Sequence, residues 1–480
     1  MRGEREQKSP NTAVQLSGVE EKLHHHSPLP RHRFPFIAAS YPSVKCPSTA
    51  KSSNRTRHLH HRRTNLLLTL RLGAAMSSPS SRLLQLVACF LSLVSLLQGA
   101  DAAAPVPTVN LSRVEDAQYF HIYFGESFKV IKNSIDGKSY LLTQRNSRMA
   151  STARYCTGRI KSFVIPLSNY SLDTSAPVSF FELLGLLEGL KGVTSDSVTS
   201  ECLLKSLSTG STALVSKKDT QQLKQFAAHF VSDVDGEQAC NYAAFMPMEE
   251  ISPLQRAEWI RYLAPFANAE ARANVVYNAV KSNYLCLNKM AMNQSEEFKP
   301  VVAWVEYNQG IWSFVREDYK RQLVRDAGGE NIDDSLTSNS YNVSDPDDMD
   351  NFHAILCTVA VLIDETYTPE PAKYTLSSFL ENVEVTDNSC FVFLTNQSLW
   401  RTDKRIRATA DGHATDWFDG AIAQPQLVLA DLIEAFFPTG SYNTTFLRNL
   451  AKGDEVFTVG PETCDRGSSA PLEPTIVSCQ

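Results

Sequence analysis

No apolar run in the chain is long enough for a membrane-spanning helix. The run from Leu83 to Leu97 is 15 residues, where a bilayer needs about 20. The chain also lacks a Gly-x-Ser-x-Gly elbow, a Walker loop, a His-Glu-x-x-His pair and a Gly-x-Gly-x-x-Gly turn. Their absence removes the sequence marks of α/β-hydrolases, P-loop NTPases, zincin proteases and dinucleotide-binding units. There is no Cys-x-x-Cys and no zinc-ligand spacing, and beyond residue 75 only His121, His229, His353 and His413 remain, widely scattered. The sequence therefore assigns no catalytic residue, metal ligand or cofactor.

The first 75 residues differ from the rest, carrying 13 Lys or Arg against 4 Asp or Glu and 7 of the 11 histidines. They read as an unstructured leader, either an untranslated upstream extension or an organelle transit segment. Residues 76–102 have signal-peptide anatomy: Arg82, the apolar run, then Ala100 and Ala102 at a small-residue cleavage site. Cleavage there yields a secreted protein, apoplastic or at the cell surface, with an organelle lumen as the alternative. From Ala103 onward the chain has 32 basic and 47 acidic residues, an excess of negative charge that disfavours nucleic acid and anionic membranes as partners.

That mature part holds eight cysteines, Cys156, Cys202, Cys240, Cys286, Cys357, Cys390, Cys464 and Cys479. After a secretory signal an even number reads as disulfides, with connectivity left open; Cys286 and Cys357 also fit buried thiols. Sequons at Asn110, Asn169, Asn293, Asn342, Asn396 and Asn443 place those asparagines on surface loops of a glycoprotein.

In ISPLQRAEWIRYLAPFANAEARANVVYNAVKSNY, Ile251 to Tyr284, Ser252 is a natural N-cap, Pro253 suits the first helical position and Gln255 completes a capping box. Apolar residues then recur near the 3.6-residue period, and Pro265 predicts a break near Ala264. The words SPLQRAEWIRYLAPFANAEARAN resemble the linker-helix segment of the periplasmic-binding-protein family that captures ferric siderophores, haem and cobalamin for ABC importers. VVAWVEYNQGIWSFVREDYKRQLVRDAGGENI (Val301 to Ile332) and TDWFDGAIAQPQLVLADLIEAFFP (Thr415 to Pro438) are similar to the start and the closing helix of that family's C-terminal lobe. The resemblance spans Arg159 to Pro438 and implies a monomeric substrate-binding protein, not an enzyme, that holds a small molecule or metal chelate between two lobes. It also implies a membrane transporter or receptor partner met through an acidic residue on each lobe, for which Glu188 and Asp326 or Glu330 are candidates.

The expected fold is α/β, two lobes with mainly parallel sheets joined by a long linker helix, plus a short N-terminal β extension. The divisions are 103–158 for the extension, 159–250 for the N-terminal lobe, 251–290 for the linker, 298–438 for the C-terminal lobe and 439–480 for a tail. IKSFVIPL should open lobe one as a strand, KKDTQQLKQFAAHF should be helical, and FVFLTN should be a strand of lobe two. SDPDDMD reads as a solvated helix start, and Trp304 as core.

Open α/β sheets bind ligands at the carboxyl ends of their strands, and two lobes let two such edges face one ligand. After IKSFVIPL that edge offers Ser168, Asn169, Tyr170 and Asp173; after VVAWV it offers Tyr307, Asn308 and Trp312; after FVFLTN it offers Asn396, Trp400, Arg401 and Arg405. Glu250, just before the linker, and Trp417 complete the ligand-binding candidates. Aromatic rings would stack on a planar chelate while guanidinium forks meet its carboxylate or catecholate oxygens. An extracellular enzyme using Asp416, Asp419 or Glu250 as acid or base, or a protein-interaction module with a filled cleft, are the alternatives.

Overall fold

The computed structural model describes residues 111–479 except 153, 175, 235–238, 386, 410 and 411. The leader, the signal-peptide reading and the Asn110 sequon lie outside the described residues. The described residues belong to one compact unit, opening with an antiparallel meander of β1 (Phe120–Phe124), β2 (Phe128–Asn133) and β3 (Lys138–Gln144). Its second turn works because Gly137 takes φ +67°, a value that side chains with a Cβ disfavour, while Asp136 accepts the Lys138 N–H at 3.0 Å. Helix α1 (Met149–Thr152) then lies on the crossover to β4 (Ile160–Ile165), which pairs in parallel with β3. IKSFVI is thus the fourth strand of the N-terminal sheet, a correction to its expected place in lobe one. Its neighbour across the ladder is β3, and the Cys156–Cys240 disulfide ties the crossover to lobe one.

Lobe one runs β5 (Tyr170–Leu172), α2 (Ser179–Leu183), β6 (Leu190–Val193), α3 (Glu201–Ser208), β7 (Ala213–Leu214), α4 (Thr220–Leu223), β8 (Ala228–Val231) and β9 (Tyr242–Ala244). The strands form a parallel sheet in the order β7-β6-β5-β8-β9. Every residue of β5, β8 and β9 is buried, as expected of parallel strands covered on both faces. The expected helix in KKDTQQLKQFAAHF shrinks to α4, and AHFV becomes β8. A short apolar run fits either element by periodicity, and here the sheet claims it.

The linker is three helices, α5 (Pro253–Ala257), α6 (Trp259–Ala267) and α7 (Glu270–Gln294). Ser252 and Gln255 close the capping box ahead of α5, with Pro253 at the first helical position. Pro265 is accommodated inside α6, and the break comes at Asn268, which takes φ +57° while its N–H bonds the Ala264 carbonyl. The 25-residue α7 then carries the chain to lobe two.

Lobe two comprises β10 (Val301–Asn308), β11 (Ile311–Phe314), α8 (Asp318–Asp326), β12 (Glu330–Asn331), β13 (Tyr341–Asn342), α9 (Pro346–Leu356), β14 (Val361–Asp364), α10 (Leu376–Val383), α11 (Val392–Thr395), β15 (Leu399–Arg401), β16 (Arg405–Thr409), β17 (Gly412–Thr415), α12 (Gly420–Ala423), α13 (Pro425–Phe436), β18 (Arg448–Asn449) and β19 (Phe457–Thr458). Its main sheet has the order β13-β11-β10-β14-β15-β18 with β12 beside β10, and β17-β16-β19 is a separate small sheet. Asp345 caps α9, so SDPDDMD is a helix start. FVFLTN forms α11 and not a strand; the slot beside β14 belongs to Leu399–Arg401, in register with Leu362, Ile363 and Asp364. Trp304 is buried core, and α13, almost wholly buried, packs along α7. The expected fold class is therefore the fold found.

The segment after Pro438 does more than trail from lobe two. It supplies β18 and β19, then runs back over lobe one and α7. Arg466 pairs with Glu182 at 2.8 Å, Arg272 holds the Leu472 carbonyl at 2.7 Å, and Asn283 holds the Val477 carbonyl at 2.8 Å. Two disulfides, Cys202–Cys464 and Cys286–Cys479, fasten this strap. Cys357–Cys390 closes a loop within lobe two, so the buried-thiol readings of Cys286 and Cys357 give way to disulfides.

Candidate functional site

At the carboxyl ends of β5 and β6 the chain turns through short hydroxyl-rich loops, and the segment after β17 of lobe two comes down on them. A cavity of about 320 Å³ remains between the lobes, near the lower end of the range for small-molecule sites. Its polar wall is Thr174, Ser197, Thr199, Thr415 and Asp419; its apolar wall is Ala176, Val178, Val198, Met248, Ala414 and Phe418. None of these lining residues is a cation.

The carboxylates beside it are held by groups from both lobes. Asp416 accepts the Thr199 hydroxyl at 2.9 Å, the Gly420 N–H at 2.9 Å and the Arg405 Nε–H at 2.9 Å. Asp419 accepts the Ser179 N–H at 2.7 Å and lies 3.5 Å from the Thr199 hydroxyl. Burial, and next the charge of Asp416, raise the Asp419 carboxyl from its ordinary range to about 7. Arg405 bridges onward to Glu201 of α3 at 3.0 Å, and Arg407 reaches Asp196 at 3.2 Å, so the interlobe face is crossed by two ion pairs next to the cavity.

Few of the residues singled out from sequence meet here. Tyr170 is buried in β5 and donates its hydroxyl to the Leu186 carbonyl. Asp173, at the end of β5, is held by Thr194 at 3.0 Å, Ser232 at 3.2 Å and Lys217 at 2.8 Å. Glu250 faces the N-terminal segment, accepting the N–H groups of Gln118 and Tyr119 at 2.9 and 3.0 Å. Trp312 is fully buried, stacks on Phe352 and donates to the Asn382 carbonyl. Trp400 is buried in β15 and donates to Ser398, and Trp417 packs on Trp304 with ring centroids 5.8 Å apart. These rings are core packing and present no open face for a planar ligand.

Arg401 is likewise corrected from a ligand fork to a buried brace, because it sits in β15 and not in a loop. Its guanidinium meets Asp364 at 2.7 Å, Asp403 at 2.6 Å and the Thr366 carbonyl at 2.7 Å. Burial pushes the Asp403 carboxyl up, but Arg401 and Arg448 outweigh it and hold it below the usual range. Tyr307 and Asn308 line a different cavity of about 540 Å³ at the carboxyl ends of β10 and β14. The asparagines of the five described sequons, including Asn169 and Asn396, are all exposed. Ser168, Glu188 and Glu330 are exposed, while Asp326 accepts the Tyr284 hydroxyl at 2.7 Å. Thr174, Ser197, Thr199 and Phe418 were missed; the available signal was hydroxyl-rich segments directly after the β5 and β6 strands.

No family model matches the chain, and no curated protein does. Among solved structures it is similar to a protein from Staphylococcus epidermidis described as a possible iron-binding (periplasmic solute-binding) protein, at 11% identity and TM-score 0.40, covering 56% of this chain and 99% of that one. It is similar to an ABC transporter substrate-binding protein from Listeria monocytogenes at 14% identity and TM-score 0.38, covering 56% and 99%. A periplasmic heme binding protein from Pseudomonas aeruginosa aligns at 14% identity and TM-score 0.39, covering 61% and 100%. Among the described residues, no helix is long and apolar enough to cross a membrane.

Proposed function

We propose that this is a secreted binding protein that holds a small molecule in the interlobe cavity without transforming it. The observation that carries the reading is the cavity's position and lining: it lies outside the carboxyl ends of parallel strands, where open α/β sheets present ligand sites, and mixes hydroxyls with an apolar wall. The four disulfides support an oxidising compartment. With Arg401 and Arg405 both engaged by carboxylates, a large anionic chelate finds no free guanidinium in this cavity. A small neutral or cationic ligand suits it better than a siderophore or haem. Exposed Glu188 and Glu330 remain the candidate contacts for a transporter or receptor. The enzyme alternative is weaker, since only Asp419 of the three named carboxylates lines the cavity.

The test is thermal unfolding of the secreted protein against a panel of polyols, amines, ferric siderophores, haem and cobalamin. A ligand at about 100 times its dissociation constant adds roughly 2.7 kcal/mol to stability. Phe418 is 58% exposed, so Phe418→Ala should leave the fold intact while diminishing that shift. No shift with any member of the panel would overturn the reading.

A further inference from the structure

The cavity wall is electrically unbalanced. Glu182, Glu201, Asp416 and Asp419 stand around Arg405 and Arg466. Arg405 serves Asp416 and Glu201, Arg466 serves Glu182 at 2.8 Å, and among the described residues Asp419 meets the Ser179 N–H and side chain and the distant Thr199 hydroxyl, with no guanidinium of its own. Four carboxylates against two guanidiniums leave negative charge at the one carboxyl that lines the cavity. Such charge is neutralised either by a proton or by a bound cation. Phe418, adjacent in sequence, lines the same cavity, as does Met248. An aromatic face beside a carboxylate is the arrangement that receives organic ammonium groups.

We propose that the interlobe cavity takes a small organic cation, an amine or quaternary ammonium, seated between the Asp419 carboxyl and the Phe418 ring. This rests on the binding reading above and names its ligand class. A metal cation is the poorer occupant: among the described residues no three His, Cys, Asp or Glu side chains are grouped to hold one. An ammonium needs a single carboxylate and a polarisable wall, which the cavity has. Occupancy couples to protonation, because the cation must displace the proton that burial and Asp416 favour on Asp419. The charged groups facing Asp419 are Asp416 on its own turn and Glu182 on α2, with Arg405 and Arg466 balancing those two and Glu201 sharing Arg405.

Choline and its uncharged isostere 3,3-dimethylbutan-1-ol separate charge from shape. Titration calorimetry on the intact secreted protein at about pH 8.5 should show choline binding about tenfold more tightly than the isostere. At about pH 5, where Asp419 keeps its proton, the preference should shrink. Asp419→Asn should remove the preference at both pH values, and Phe418→Ala, at an exposed position, should weaken choline with the fold unchanged. Equal binding of the two probes at both pH values would overturn the cation inference and leave the cavity as a binding site. So would silence from both probes while a neutral panel member binds. Silence from every compound would overturn the binding reading itself.

Discussion

Asp416 and Asp419 are three residues apart, yet their surroundings treat them differently. Asp416 has a guanidinium and Asp419 has none, so the second carboxyl is the one pushed up to about 7. A raised native value means that stability is fully present below the unfolded carboxylate range and is lost as pH rises toward 7, flattening above it. Asp419→Asn should therefore gain stability relative to the parent as pH rises from about 4 to about 8; denaturant midpoints across that window check it, and a pH-independent difference would contradict it. Arg401 is the opposite case, a buried cation answering two carboxylates. Arg401→Met should cost about 3–5 kcal/mol by leaving Asp364 and Asp403 uncompensated, while ligand affinity in the interlobe cavity is retained in whatever fraction stays folded. A cost near zero in chemical denaturation would show that the brace is dispensable.

At the scale of elements, the N-terminal segment is fastened to the linker by two carboxylates, Glu258 and the expected ligand group Glu250. Glu258, wholly buried, accepts the N–H groups of Glu115, Asp116 and Ala117 at 2.8, 2.5 and 2.7 Å and pairs with Arg261 at 2.7 Å. Glu250 accepts the next two N–H groups and the Trp259 indole N–H at 3.3 Å. Five consecutive backbone donors thus end on two side chains, which satisfies a segment that has no strand partner there. Glu258→Ala should cost about 3 kcal/mol or more, since it strands three N–H groups and Arg261. Fast amide exchange confined to residues 115–117 would confirm the assignment, and unchanged protection would refute it. The capping box of α5 was legible because capping is local; the fate of FVFLTN was not, because which apolar run fills the slot beside β14 is decided by register with a distant strand.

For the whole molecule, the lobes are joined by more than α7. The Cys202–Cys464 bridge closes a 262-residue separation, and Arg405–Glu201 with Arg407–Asp196 cross the same interface. The paired variant Cys202→Ser with Cys464→Ser should lose about 2–5 kcal/mol and should raise amide exchange on both faces of the cleft. Cys357→Ser with Cys390→Ser, within lobe two, should lose stability without loosening the cleft. If the two pairs behave alike, the strap has no special part in holding the lobes.

By itself the sequence determined the α/β class, the linker with its cap, the excess of acidic residues beyond Ala103 and the even set of cysteines there, because composition, periodicity and capping act over a few residues. Tertiary structure alone decided the cysteine pairings, the burial of Trp312, Trp400 and Arg401, and the meeting of Thr199 with Asp416 and of Ser179 with Asp419. Each joins residues far apart in the chain, and whether a polar or aromatic side chain faces ligand or core depends on what the fold packs against it.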